Sequence, residues 1–572
     1  MDGATDRLQC KQATQAQSLG LAGAGLLLVL ALAVLLPGTV GVSFFDRDEG
    51  WYAQVCREMR ETGDWLVPRY LGEVWIAKPP LLYWLVLASQ RALGVGEWQA
   101  RLVSVLSMSL SVVLTGAWAS RMFGRRVGLL AGSVLITCCL PAVVGKLLLA
   151  DGLMLACTLV AVTVHWRMAV QGVTHWRSAV YWLAIGLGVL AKGPATLLFA
   201  GSLGLALVCT PGRRSWLTDG RWWVWLPVAL LAAGPWYAYI ATHAGPTLVH
   251  QFLWSESFGR ILQNSPHGRS TPPGTCLLVS LAGLLPWTPL VPGALVAAFR
   301  QRRTDGSGWV LLVWLALPWL VVELMRGKLP HHVLPCYVPL SILLARHLCA
   351  VTVVQPTRSR GSLARILSLL GPGIMVVLGL ACVVAGAMNW RAPWGSAMLG
   401  AGLVVVAGFV VAGWLQGRGP GVPAWAGLIG ATVALHLVAG FWLLPAMEPT
   451  RLSRRLAETI DSLVQPGDQV ILCGYTEPTV HYYLAGRARD VQRGELEEVL
   501  ASASGPVVLA VSACSPDQPE NLALGDRLAP LVRERMLSGL NWGNMSLETV
   551  GVGRITPGAG AVVVPGVLNR RS

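Results

Sequence analysis

Residues 20–41, GLAGAGLLLVLALAVLLPGTVG, contain no charged side chain. A helix needs about 20 apolar residues to cross a bilayer, so this stretch predicts a membrane span. Similar apolar runs recur along the chain and predict about thirteen spans: 20–41, 99–120, 127–144, 148–166, 178–191, 194–210, 222–242, 276–299, 308–325, 331–349, 366–388, 396–416 and 423–445. The sequence therefore predicts a polytopic, all-α membrane protein.

The composition excludes other broad classes. Of the 572 residues, 54% are hydrophobic and 13% are charged, against about 25% charged in ordinary soluble proteins. The net charge is +15, but the basic residues form short clusters between apolar runs, which is typical of cytoplasmic loops and not of a nucleic-acid interface. A soluble multidomain protein and a nucleic-acid-binding protein are both excluded, and membrane lipids are expected as surroundings.

The distribution of arginines predicts the orientation. Alternate loops carry clusters of arginine and few acids, whereas the long loop 42–98 is rich in acids, so the positive-inside rule puts the N-terminus in the cytoplasm. With an odd number of spans, residues 446–572 lie outside the cytoplasm. The predicted location is the inner (plasma) membrane, and the arginines used are Arg121, Arg125, Arg126, Arg167, Arg177, Arg213, Arg214, Arg300, Arg302, Arg303, Arg346, Arg358, Arg360 and Arg365.

Two domains are predicted, a membrane domain at 1–445 and a small extracytoplasmic α/β domain at 446–572. The second has ordinary polarity, and its short apolar runs Gln469–Cys473, Pro506–Val511 and Ala561–Val564 alternate with helical stretches, as in α/β domains. Cys473 and Cys514 are its cysteines and could pair or stay free. The 12 cysteines of the chain show no metal-binding spacing.

Loop 42–98 is predicted to hold two interfacial helices. In residues 48–62, DEGWYAQVCREMRET, apolar side chains recur at Tyr52, Val55 and Met59, and Gly63 can end the helix. Such a helix is expected to lie along the membrane surface. A second helix is expected to begin at Lys78-Pro79-Pro80 and to run to Gly94, since proline suits a first helical turn.

Three acids, Asp46, Asp48 and Glu49, stand where the chain leaves the first span. They can cap the helix start, where negative charge is favoured. One acid suffices for a cap, so the second interpretation is a carboxylate that acts as a general base.

Lys78 and Asp151 are charged residues in unfavourable places. A lysine just before a helix N-terminus faces the positive end of the dipole, unless an anion such as a phosphate lies between them; the alternative is a lysine that extends to the interface. Asp151 interrupts an apolar run, which indicates either a functional acid or an N-cap. Further polar groups are expected on the same face, at Glu256, Arg260, His267 and Arg269 and at Glu323, Arg326, Lys328, His331 and His332.

Several motifs resemble those of the aminoarabinose lipid A transferases. This family is grouped with the protein O-mannosyltransferases among GT-C fold glycosyltransferases, which use polyprenyl-phosphate sugars. The opening motif is the most specific match, and the likeness extends over nearly the whole chain. The matching segments are Asp48-Glu49-Gly50-Trp51-Tyr52, Arg57-Glu58-Met59, Gly63-Asp64-Trp65, Lys78 to Trp84, Ala100-Arg101-Leu102, Leu149-Ala150-Asp151, Lys192-Gly193-Pro194, Gly234 to Tyr237, Glu256 to Arg260, Leu285-Pro286-Trp287, Lys328 to Pro335, Gly474-Tyr475 and Tyr482-Tyr483-Leu484.

The resemblance implies roles for individual residues. It makes Asp48 the catalytic carboxylate, with Glu49 beside it, and Asp151 the second acid. It makes Lys78 and Arg260 the ligands of the donor phosphate. Side chains expected to contact substrate are Tyr52, Glu256, His267, Lys328, His331 and His332. The family commonly has Arg at Trp51, Glu at Ala77, His at Ser257 and Tyr at His332.

The implied reaction is an inverting transfer of a sugar from polyprenyl phosphate to a lipid, glycan or protein acceptor on the extracytoplasmic side. The alternatives are a transporter, whose site would lie near the bilayer midplane, and a membrane scaffold with a decayed site. No cofactor is expected, because two cations can match a lipid monophosphate. A divalent metal held by Asp46 and Asp48 is the alternative.

Overall fold

The structure, a computed structural model, describes residues 18–245, 247, 250, 271–302, 304–354, 362–419, 421–512, 535–541 and 546–555. The chain divides into two compact units. The helical unit comprises the described parts of Met1–Val42, Asp64–Pro68 and Val74–Ala446. The α/β unit comprises the described parts of Ser43–Gly63, Arg69–Glu73 and Met447–Ser572. Two pieces of the first loop therefore belong with the C-terminal part, whereas the sequence analysis grouped the whole loop with the membrane domain.

The described α-helices are α1 (Gly20–Leu35), α2 (Asp48–Thr62), α3 (Leu81–Leu93), α4 (Glu97–Phe123), α5 (Arg125–Thr137), α6 (Cys139–Val144), α7 (Ala150–Gln171), α8 (His175–Lys192), α9 (Ala195–Val208), α10 (Gly220–Trp223), α11 (Leu226–His243), α12 (Thr275–Gly283), α13 (Val291–Arg300), α14 (Gly306–Leu324), α15 (Tyr337–Val354), α16 (Ser362–Met388), α17 (Gly395–Gly417), α18 (Val422–Val438), α19 (Leu444–Ala446), α20 (Leu452–Leu463), α21 (Pro478–Tyr483) and α22 (Leu496–Ser502). The strands are β1 (Arg69–Tyr70), β2 (Glu73–Val74), β3 (Gln469–Cys473), β4 (Ala488–Asp490), β5 (Val507–Ser512), β6 (Arg535–Asn541) and β7 (Ser546–Ile555).

Eight helices in the described part of the chain are long and apolar enough to cross a membrane, and a bent pair would make a ninth. The pair, Thr275–Gly283 with Thr288–Arg300, bends by 114°. The predicted number of about thirteen spans is not confirmed, because some apolar runs form shorter helices. The run 20–41 gives a helix of 16 residues, and the run 127–144 is divided at Cys138, whose backbone is extended.

The residues that follow α1, up to Val42, are held by a hydrogen bond within the helical unit. Arg101 of α4 is buried and donates a hydrogen bond of 2.7 Å to the carbonyl oxygen of Val42. A buried guanidinium needs such acceptors, because its desolvation is costly when they are missing. Nearer the middle of α1, Leu27 packs against Gly116 of α4. A Cβ at position 116 would collide with the Leu27 side chain. These contacts set the position from which the chain continues toward Asp48.

The α/β unit contains a five-stranded mixed sheet in the order β4-β3-β5-β7-β6. Strand β3 runs parallel to β4 and β5, while β7 is antiparallel to β5 and β6. Strands β3 and β5 are buried on both faces, and one apolar cluster lies on each face of the sheet. They coincide with two of the apolar runs noted in the sequence. The third run, Ala561–Val564, lies outside the described residues.

Candidate active site

The structure separates the three acids at the start of α2. Asp46 accepts a hydrogen bond from the hydroxyl of Ser453. Glu49 is 2% exposed and accepts a bond of 2.9 Å from the backbone N–H of Phe45. Asp48 is half-buried, and its carboxylate has no hydrogen bond or ion pair with any residue that the structure describes. Asp48 thus differs from Asp46 and Glu49, whose carboxylates accept hydrogen bonds, and the catalytic roles of Asp48 and Glu49 stay predictions.

Helix α2 packs against α21 of the same unit. Gly50 is required there, because a Cβ at that position would collide with the backbone nitrogen of Thr479. The guanidinium of Arg57 lies 4.8 Å from the centre of the Tyr482 ring, a cation–π contact. Tyr52 is only 6% exposed. The predicted contact of Tyr52 with substrate is therefore disfavoured, and the apolar face of α2, expected to lie on the membrane surface, is covered by protein.

The turn that follows β1 is hydrogen-bonded to α2 through the side chain of Glu58. The carboxylate of Glu58 accepts hydrogen bonds from the backbone N–H groups of Leu71, at 2.7 Å, and Gly72, at 3.0 Å. Leu71 has φ 53 and Gly72 has φ 83, so this tight turn uses the left-handed region at both positions. Glu58 therefore links the turn at Leu71 and Gly72 to helix α2 within the α/β unit.

Lys78 lies in the helical unit, just before α3. Its Nζ donates a hydrogen bond of 2.9 Å to the carbonyl oxygen of Ala77, and the side chain is half-buried. The helix begins at Leu81, after the prolines that were predicted to lie in its first turn, and ends before Gly94, as the glycine predicted. Lys78 thus lies beside a helix N-terminus, where free N–H groups also favour an anion.

Asp151 is the centre of a cluster of basic groups in the helical unit. Its carboxylate is 2% exposed, forms an ion pair with Nζ of Lys192, and lies 3.8 Å from Nε2 of His331. Lys78 is close enough to interact electrostatically with the same carboxylate. Among the described residues, two lysines and a histidine therefore gather around the Asp151 carboxylate.

Lys192 is a residue of this cluster that the sequence analysis did not assign to the site. It stands 41 positions from Asp151. The available signal was a lysine within an apolar run, since a charge in a span needs a partner of opposite sign. The ion pair explains how Asp151 can be buried, and it favours a role in holding Lys192 over the role of a free acid.

Lys328 and His332 have structural contacts. Nζ of Lys328 donates three hydrogen bonds of 3.0 Å, to the carbonyl oxygens of Thr271, Glu323 and Met325. An ammonium group has three donors, so all of them are used, and the side chain is 2% exposed. Nδ1 of His332 accepts from the N–H of Leu329 at 3.2 Å. The prediction that Lys328 contacts substrate is disfavoured by these bonds.

Three predicted site residues, Glu256, Arg260 and His267, lie outside the described residues, as does Cys514. Within the described part of the chain, no group of three or more His, Cys, Asp or Glu side chains is arranged to hold a metal ion.

Comparison with known proteins places these residues in context. The model of the family described as dolichyl-phosphate-mannose-protein mannosyltransferase matches residues 77–239. An undecaprenyl phosphate-alpha-4-amino-4-deoxy-L-arabinose arabinosyl transferase of Erwinia tasmaniensis is 32% identical over 430 residues, 67% of this chain and 75% of that protein. A second such transferase, from Sodalis glossinidius, is 32% identical over 66% of each chain. The matched regions thus span 75% of the length of the Erwinia relative and 66% of the length of the Sodalis relative.

A solved structure has the same fold. The crystal structure of ArnT from Cupriavidus metallidurans bound to undecaprenyl phosphate aligns with a TM-score of 0.72 over 93% of this chain and 98% of that one, at 22% identity. The chain therefore has the fold of a known membrane protein.

Proposed function

The chain belongs to the family of the undecaprenyl phosphate-alpha-4-amino-4-deoxy-L-arabinose arabinosyl transferases, and from this premise we propose that it transfers a sugar from a polyprenyl-phosphate donor to a lipid, glycan or protein acceptor. The protein is a multi-span membrane glycosyltransferase with a GT-C fold. The first donor to test is the one named in the relatives, undecaprenyl phosphate carrying 4-amino-4-deoxy-L-arabinose.

The observation that supports this proposal best is the basic cluster around Asp151. Lys192, His331 and Lys78 come together around its carboxylate, at or near the end of a membrane helix. Basic side chains gathered in a partly buried place favour an anionic ligand. A phosphate at the head of a lipid tail has both the charge and the location that such a cluster fits.

In the proposed reaction, Asp48 accepts the proton of an acceptor hydroxyl as its oxygen attacks the anomeric carbon. The bond between that carbon and the phosphate oxygen breaks, and its electron pair leaves with polyprenyl phosphate. Lys78 and Arg260 compensate the charge that develops on the leaving phosphate. A single displacement inverts the anomeric centre. We assign Asp151 the task of holding Lys192 and His331 toward the same anion.

The proposal includes location and cofactor. We propose that the N-terminus is cytoplasmic and that residues 446–572 are extracytoplasmic, on the side where the acidic first loop lies. We also propose that no metal is needed. The residues that support metal independence are Ala77 and Ser257, whose side chains are poor metal ligands.

The test uses purified protein and a panel of polyprenyl-phosphate sugars, with release of polyprenyl phosphate followed by mass spectrometry. Asp48→Asn should lower kcat by about 10²–10⁴-fold, the usual effect of losing a general base. Glu61→Gln is the matched control, because Glu61 lies on the same helix and pairs only loosely with Arg57, at 3.8 Å. Full turnover by a folded Asp48→Asn protein, or no release from any donor by the unaltered protein, would refute the proposal.

A further inference from the structure

The segment Ser43–Arg47 leads directly to Asp48, and the C-terminal residues of the same unit hold it. The N–H of Ser43 donates to the carboxylate of Glu448 at 3.2 Å, and Nη1 of Arg451 donates to the carbonyl oxygen of Ser43 at 3.1 Å. The N–H of Phe44 donates to the hydroxyl of Tyr483 at 3.0 Å. We call residues 43–47 the approach segment.

The second half of the approach segment is held in the same way. The guanidinium of Arg451 lies 4.0 Å from the centre of the Phe45 ring. The hydroxyl of Ser453 donates to the carboxylate of Asp46 and lies 2.8 Å from the hydroxyl of Tyr475. Every one of these contacts comes from residues that follow the last membrane helix.

The backbone immediately before Asp48 is strained. Arg47 has φ 70 and ψ −103, in a region that side chains other than glycine rarely adopt. Its Nε lies 3.8 Å from the carboxylate of Glu477, which also accepts a 2.9 Å bond from Asn541. Burial raises the pKa of Glu477 above its usual value. Such strain persists only where the surroundings hold it, and it is often found at functional sites.

We propose that the C-terminal residues of the α/β unit position the catalytic carboxylate, with Ser453 and Tyr475 as positioning residues that act on Asp48 through Asp46 and Arg47. The inference rests on the proposed function, in which Asp48 is the general base. Because no described side chain fixes the Asp48 carboxylate itself, its direction depends on the backbone that carries it. This backbone is anchored before Asp48 by the bond of Asp46 to Ser453 and after Asp48 by helix α2.

The first test measures donor turnover by the full-length protein. Ser453→Ala and Tyr475→Phe should each lower kcat, by up to about 10²-fold for a displacement near 1 Å, with the KM for donor unchanged. Ser453→Thr, which keeps the hydroxyl, should restore part of the rate. Ser502→Ala is the matched control, since that serine only bonds the carbonyl oxygen of Val499 on the surface of the same unit.

The second test separates positioning from loss of folding. Ser453→Ala is added to Asp48→Asn, and the residual rate should not fall further, because the positioned carboxylate is already gone. The inference would be overturned if Ser453→Ala lowered the rate by the same factor with Asp48 and with Asn at this position. It would also be overturned if Ser453→Ala and Tyr475→Phe both kept the full kcat. If Asp48→Asn alone were fully active, the proposed function would fail with it. If Ser453→Ala did not fold, Tyr475→Phe would carry the test, because it keeps the buried ring and removes only the hydroxyl.

Discussion

Removing one partner of the buried pair Asp151–Lys192 should destabilise the helical unit strongly. Their side chains are 3% and 10% exposed, so neither charge can recover its hydration where it lies. Breaking a buried pair by removing one partner costs about 3–5 kcal/mol, because the other charge is left uncompensated. We therefore expect Asp151→Asn to lower the free energy of unfolding by about this amount, and Lys192→Met to lower it less, because His331 and Lys78 still face Asp151.

The decisive measurement is a double-mutant cycle, with unfolding in detergent followed by intrinsic tryptophan fluorescence. The double variant Asp151→Asn/Lys192→Met removes both charges of the pair, so it should be less destabilised than the sum of the single variants. Asp219→Asn is the matched control, because Asp219 pairs with Arg221 at the surface and should leave the unfolding midpoint unchanged. Additive losses in the cycle, or wild-type stability of Asp151→Asn, would refute the reasoning.

Four further outcomes are expected. Lys78→Ala should raise the KM for donor and lower kcat together, and Lys78→Arg should rescue only in part, because a planar guanidinium replaces a point charge; unchanged kinetics would contradict the phosphate contact. Burial lowers the pKa of Lys146 from 10.5 to about 8. Between these values the unfolded chain keeps a proton that the folded protein has lost, so stability should rise from pH 8 to 10.5, and Lys146→Met should abolish the rise in a pH series of melting curves. Turnover should persist in excess EDTA, and activity that returned only with one added ion would refute metal independence. Reporter fusions should give cytoplasmic signals after Arg126 and Arg214 and external signals after Gly72 and Pro466; the reverse pattern would contradict the orientation.

Local elements were predictable from the sequence where their own residues determine them. Helix α2 spans Asp48–Thr62 as predicted and ends at Gly63, which adopts φ 71, a conformation that glycine tolerates best. The second loop helix ends before Gly94 for a related reason. The periodicity of α2 also indicated that one face is buried. It could not indicate the covering surface, because α21 lies more than 400 positions further along the chain and only the fold brings it near.

The site was predictable in residue types and less so in roles. Asp46, Asp48 and Glu49 are equivalent as a sequence pattern, and the bonds from Ser453 and Phe45 distinguish them. The ion pair of Asp151 likewise depends on the packing of α7 on α8, which no local pattern contains. Apolar runs identified membrane helices but did not show where a run is divided, because hydropathy does not register a break such as the one at Cys138.

The docking of α2 has a consequence for biosynthesis. Ser43 and Phe44 leave the ribosome early, yet their partners Glu448 and Tyr483 follow 405 and 439 positions later. Val55 and Met59 on the apolar face of α2 are buried in the finished protein. During translation this face is not yet covered by α21. Contacts of such long range form slowly and leave apolar surface open to association with other molecules. Until α21 has been made, the nascent chain therefore has to keep α2 out of aggregates, with the helix bound to the bilayer or to a chaperone.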